Sequence, residues 1–161
     1  MRIFKKHLFT TLFALASVLL VSCGDDEPQV DKREQAVGSY SVNLEYVDAS
    51  GNTISDNFTA SISKAGDNNL QFTADGETET LIGVNEAGNG LAFNIENSTD
   101  TDAEGDTYSN KGTKSISLGG EKYDGRYSSD NGEFFLQIEY VYVNRDYEAF
   151  DAVITFSGFK K

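Results

Sequence analysis

From Ala36 onward, apolar side chains recur at every second position, and clusters of Gly, Asn, Asp and Ser interrupt them. A period of two marks strands with one buried face. Tyr40, Val42, Leu44 and Tyr46 alternate with Ser41, Asn43 and Glu45, and residues 48–52 (Asp-Ala-Ser-Gly-Asn) end that run. Phe58, Ala60 and Ile62 form a second run. Leu70, Phe72 and Ala74 form a third, residues 78–84 a fourth, and Leu91, Phe93 and Ile95 a fifth. Residues 97–112 are a long polar stretch. Strands resume at Ile116 and Leu118 and again over residues 123–127. The strongest run covers residues 134–143, with Phe134, Leu136, Ile138, Tyr140 and Tyr142 on one face and Gln137 and Glu139 on the other. Phe150, Ala152, Ile154 and Phe156 close the series.

No segment of this region has a helical period of 3.6, so the pattern predicts an all-β domain of eight to nine strands. Short polar turns pair neighbouring strands as hairpins, which gives an up-and-down antiparallel meander. The only proline, Pro28, precedes the domain, so every strand can donate its full ladder of N–H bonds. A meander of this length must hide its edges, either by closing into a barrel or, alternatively, by stacking as a two-sheet sandwich. Eight strands enclose an interior that side chains fill or that holds one small ligand.

The first 35 residues follow a different pattern. Arg2, Lys5 and Lys6 form a basic start, and residues 8–21 carry no charge. As a helix those residues span ~21 Å at 1.5 Å each, short of the ~30 Å core of a bilayer. Residues 1–22 therefore read as a cleaved leader rather than a membrane span. Residues 23–35 contain one apolar side chain, Val30, besides the proline and the cysteine. They read as a flexible acidic linker, reaching ~40 Å when extended. Residues 36–161 are the β domain.

Composition narrows the chemistry. Without the leader, 10 basic residues face 26 acidic ones, a formal charge of −16. Such a chain repels phosphate backbones, which excludes nucleic acid as a natural partner. The only histidine, His7, leaves with the leader, and with it the usual general base and the commonest metal ligand. One cysteine, Cys23, permits neither a disulfide framework nor a zinc ribbon. With 26 acids, chance carboxylate pairs are plentiful and no motif selects one for glycoside chemistry. The expectation is no catalytic residue, no cofactor and no enzyme.

Two resemblances add to this reading. Leu20-Val21-Ser22-Cys23 resembles the lipobox of bacterial lipoproteins, and Gly24, Asp25, Asp26 and Glu27 look like the acidic export signal of surface lipoproteins in the Bacteroidetes. These imply an acylated (palmitate-bearing) Cys23 that anchors the chain in the outer-membrane bilayer, with the domain facing the exterior. An ordinary charged tether is the alternative reading of the acidic run. Val37-Gly38-Ser39-Tyr40, the ending Ile154-Thr155-Phe156-Ser157-Gly158-Phe159-Lys160-Lys161, and the meander between them resemble the lipocalin-like (calycin-like) lipoproteins of that group. Lipocalins proper open with Gly-x-Trp, the Trp closing the barrel floor beneath a late Arg. Here Tyr40 takes the aromatic place, and Lys160 and Lys161 stand where the Arg would be.

Two features are candidate sites. Asp100, Asp102, Glu104 and Asp106 place carboxylates at alternate positions with Gly105 between, a pattern suited to a hard cation. Lys111 stands where a calcium loop needs its bidentate Glu, and a solvated acidic loop is the competing reading. The tyrosines are the second feature: Tyr123, Tyr127, Tyr140, Tyr142 and Tyr147 carry hydroxyls that need partners if buried. Tyr140, Tyr142 and Tyr127, with Phe134 and Phe72, are the candidate ligand-binding residues. Core strand ends with hydroxyls in water are the alternative. Arg126 and Arg145 are scarce cations, suited to a ligand carboxylate or to a structural ion pair. Two functional classes remain: a barrel binding a small apolar or amphipathic ligand, and a scaffold whose loops, especially residues 97–112, contact an envelope or host protein.

Overall fold

A computed structural model describes residues 31–146 and 149–161. The chain divides after Asp31, and the second unit, Lys32–Lys161, holds the whole β-sheet. The leader, Cys23, the run Gly24, Asp25, Asp26 and Glu27, and Tyr147 lie outside the described residues.

A short 3-10 helix, Lys32–Gln35, leads into twelve strands. They are β1 (Gly38–Val47), β2 (Thr53–Ala65), β3 (Asn69–Ala74), β4 (Glu77–Glu86), β5 (Gly90–Ile95), β6 (Ser98–Thr101), β7 (Thr107–Gly112), β8 (Ile116–Leu118), β9 (Glu121–Tyr123), β10 (Gly125–Ser128), β11 (Glu133–Val143) and β12 (Ala149–Lys160). Eight of them close an antiparallel barrel in the order β1-β2-β3-β4-β5-β10-β11-β12, with β12 pairing back onto β1. The up-and-down meander and the barrel, rather than the sandwich, are thus the observed topology. The other four strands form two hairpins, β6–β7 and β8–β9, between β5 and β10.

The polar stretch over residues 97–112 supplies two strands that its hydrophobic pattern does not announce. Cross-strand hydroxyl pairs hold this hairpin: Thr101 with Thr107 at 3.2 Å and Thr99 with Ser109 at 3.1 Å. Such pairs stabilise a ladder without apolar alternation.

The barrel wall has two storeys on one side. The first part of β11 pairs with β10 (Phe134 with Tyr127, Leu136 with Gly125), and its second part pairs with β7, from Ile138–Gly112 to Val143–Thr107. On the facing side, β4 pairs with β5 at Leu81 and Ile82. The Glu96 N–H donates to Thr80 O at 2.9 Å, and the ladder stops there. Among the described residues no ladder joins β6 to the start of β4. One end of the barrel is therefore closed by β5 and β10, and the other is bounded by β6 and β7 with a slit beside β4.

The closed half is fully packed. Tyr40, Phe72, Phe93 and Phe134 are its largest wholly buried side chains. Phe134 stacks on Phe72 (5.0 Å between centroids) and on Phe93 (5.7 Å), and Tyr40 tilts against it at 5.6 Å. Each such pair adds about 0.5–1.5 kcal/mol beyond area burial. The Tyr40 hydroxyl donates to Ala36 O at 2.5 Å, and the Lys160 ammonium donates to Gln35 O at 2.9 Å. Tyr40 pairs with Lys160 across β1 and β12. These two residues thus close the floor.

Asp124 is the buried charged side chain of the described core, and it pins the two storeys together. Its Oδ2 accepts from the Ile95 N–H at 3.0 Å, where β5 ends, and its Oδ1 accepts from the Lys114 N–H at 2.7 Å, just past β7. The Lys114 ammonium adds a contact at 3.3 Å. A Cβ on Gly112 would sit 2.1 Å from Asp124 Oδ2, so only glycine lets the carboxylate approach β7 this closely.

Candidate functional site

Burial falls along the strands away from the floor. Tyr40 and Val42 are buried on β1, whereas Leu44 and Tyr46 are only partly so. On β11, Phe134, Leu136 and Ile138 are buried, and Tyr140 and Tyr142 are half-exposed. Two cavities occupy this open half. One, of about 390 Å³, is lined by residues that include Leu44, Tyr46, Phe58, Phe72 and Ala74. The other, of about 480 Å³, is lined by residues that include Asp100, Tyr108, Asn110, Ile138 and Tyr140. Glu77, Glu79 and Phe156 border both, so the cavities adjoin along these three side chains. Each falls within the ~300–1,000 Å³ range of small-molecule sites.

The walls follow from strand register. Phe72 pairs with Glu79 and Ala74 with Glu77 across β3 and β4, so both acids share the inward face of β4 with Leu81. A bulge between Ile82 and Asn85 then shifts the phase, which brings Val84 as well as Leu81 to the core. Gly83 supplies the left-handed backbone there, with φ of 59°. Opposite, Tyr140 pairs with Asn110 and with Ala152.

The polar centre is the Glu79–Asn110 pair. The Asn110 amide nitrogen donates to Glu79 Oε1 across the slit. Asn110 Oδ1 is buried without a partner. Burial, and secondarily the negative charge of Glu77, raise the pKa of Glu79 to about 7. Burial, with Glu77 again contributing, also raises the pKa of Tyr140. Among the described residues, the lining holds carboxylates at Asp56, Asp75, Glu77, Glu79 and Asp100, and neither Lys nor Arg.

The structure separates the sequence-derived candidates. Phe72 and Tyr140 line the two cavities. Phe134 lies within the packed floor. Tyr127 is buried beside it, edge-on to Tyr40 at 6.3 Å. Tyr142 stands outside the lining: its hydroxyl donates to Asp106 Oδ2 at 2.6 Å, which pushes its pKa up to about 12. Tyr123 is likewise bonded, to Glu121 at 2.6 Å. Leu44, Tyr46, Phe58, Phe156, Glu77, Glu79 and Asn110 line the cavities without having been singled out beforehand. The signal for the two acids was their phase, since both alternate in step with Leu81.

The acidic loop is the tip of the β6–β7 hairpin. Asp102 Oδ1 accepts from the N–H groups of Glu104 (3.1 Å) and Asp106 (2.8 Å), and Oδ2 accepts from Tyr108 (3.1 Å). Asp106 Oδ1 accepts from the Arg145 N–H at 2.9 Å. The Tyr142 hydroxyl, and then the Arg145 N–H, hold the Asp106 carboxyl below its ordinary pKa. Asp100 faces the larger cavity instead. The loop thus uses Asp102 and Asp106 for its own donors. Among the described residues no three His, Cys, Asp or Glu side chains come together in a metal-binding group. Arg126 is engaged with Glu133 at 3.3 Å.

Compared with protein-family models, curated proteins and solved structures, the chain has no significant match. Its own topology describes it: a closed eight-stranded antiparallel barrel, compatible with a lipocalin-like fold, with two further hairpins.

Proposed function

We propose that this protein binds a small apolar or amphipathic ligand in the open half of its barrel, without catalysis, as a lipoprotein anchored through Cys23 in the outer membrane and facing the exterior. The observation that carries the ligand-binding reading is the pair of adjoining cavities above a packed floor, walled by Phe58, Phe72, Phe156 and Tyr140. A barrel that served only to display its loops to an envelope or host protein would be expected to fill its interior, and this half is unfilled. Support for the anchor is the order of basic start, apolar run, small residue and cysteine.

A neutral apolar dye such as N-phenyl-1-naphthylamine tests the cavity. Its fluorescence is expected to rise with the wild-type protein. Leu44→Trp, which puts bulk into the smaller cavity from a half-buried wall position, is expected to weaken the dye at least tenfold while leaving the far-ultraviolet circular dichroism unchanged. No enhancement with wild type, or equal binding by the folded variant, would refute the reading. For the anchor, labelled palmitate is expected in the wild-type protein, and Cys23→Ser is expected to lose the label and leave the membrane fraction. A labelled serine variant would refute acylation at this residue.

A further inference from the structure

We infer that the ligand is an amphipathic organic cation, its ammonium group lodged against Glu79 and Glu77 and its hydrocarbon part lying on Phe58, Phe72 and Phe156. This rests on the ligand-binding reading above and specifies its chemistry.

Charge is the first ground. Among the described residues, the two cavities together are lined by five carboxylates and by no lysine or arginine. A fatty acid would add a further negative charge to this acidic lining, where like charges repel. An amine brings the sign that the wall lacks.

Register is the second ground. Glu77 and Glu79 occupy inward positions of β4, facing Ala74 and Phe72 on β3, where an ordinary barrel strand would carry apolar side chains. Burial, and secondarily the charge of Glu77, make ionised Glu79 costly in the empty site. A bound cation relieves that cost.

Hydrogen bonding is the third ground. Asn110 gives its amide N–H to Glu79, and its Oδ1 is buried with no donor. This buried acceptor is open to a donor from a ligand. An ammonium carries three. The aromatic lining adds ring faces that attract cations. A bare divalent metal fits less well, since no three ligating side chains converge among the described residues.

Three ten-carbon probes separate the possibilities: decylamine, decanol and decanoate, each titrated calorimetrically against the protein at 150 mM salt. Decylamine is expected to bind at least tenfold more tightly than decanol, with decanoate weakest. In Glu77→Gln/Glu79→Gln the preference for the amine is expected to vanish while decanol affinity stays within about threefold. Asp67→Asn/Asp151→Asn, which removes two exposed charges away from the cavities, controls for the bulk acidity of the protein and is expected to keep the preference. Equal binding of amine and alcohol, or a preference that survives in the Glu77/Glu79 variant, would overturn the cation assignment while leaving ligand binding intact. Binding of none of the three would overturn both.

Discussion

Asp124→Ala is expected to destabilise the domain by about 3–5 kcal/mol, the range for removing one partner from a buried, hydrogen-bonded charge cluster. The Ile95 and Lys114 N–H groups would lose their acceptor, and a buried donor left unsatisfied costs about 1–3 kcal/mol. The cavity left by the carboxylate adds to this. Lys114→Ala removes only a half-exposed ammonium at 3.3 Å and keeps both backbone bonds, so its cost should stay near ~1 kcal/mol. Urea unfolding of the two variants and wild type measures the difference. Similar losses for both, or a loss below ~1 kcal/mol for Asp124→Ala, would show that the carboxylate does not hold the two storeys of the wall.

Glu79→Gln is expected to make the protein more stable at pH 8 and only slightly so at pH 5. Burial beside Glu77 raises the folded-state pKa from 4.5 to about 7. The folded protein therefore retains a proton that the unfolded chain releases. This contribution to stability is fully present below about pH 4.5 and is lost as pH rises through 7. Discounted for solvent screening of a half-exposed group, the loss amounts to about 1–2 kcal/mol. Among the described residues, the groups around Glu79 include Glu77 on its own strand, Phe72 on β3, Asp100 on β6, Asn110 and Tyr108 on β7 and Tyr140 on β11, and none is a cation. Asp48 and Asp106, whose pKa values are lowered, act in the opposite sense and only in acid below the usual carboxylate range. Glutamine keeps an oxygen for the Asn110 donor, so the variant isolates the charge. Unfolding free energies at pH 5 and pH 8 should show a falling slope in wild type and a flat one in the variant. An equal slope in both would place the pH dependence elsewhere.

Much of the barrel is legible in the sequence because its core strands keep a strict alternation. Tyr40, Val42, Leu44 and Tyr46 on β1, and Phe134 through Tyr142 on β11, read directly as inward faces. The strands that escape this reading are those whose stability comes from other sources. β6 and β7 are held by threonine and serine hydroxyls and border a cavity, so neither face is apolar. The bulge at Gly83 reverses the phase of β4, and counting backwards from Val84 turns Glu79 outward when its side chain points in. The aromatics show the same limit in reverse. Phe134 and Phe72 are equivalent in the pattern, yet Phe134 is enclosed within the floor while Phe72, stacked on it, also borders a cavity, because height along the barrel depends on closure between strands distant in sequence. Asp124 gives no local sign of its role, since its partners lie on Ile95 and Lys114.

The most direct test of the barrel as a binding vessel is isotope-filtered nuclear Overhauser spectroscopy on the labelled protein with bound decylamine. Cross-peaks are expected between the alkyl chain and the rings of Phe58, Phe72 and Phe156. Cross-peaks confined to the exposed outer side chains Val153 and Phe159 would mean that the ligand sits on the surface, and that the open half of the barrel is not the site.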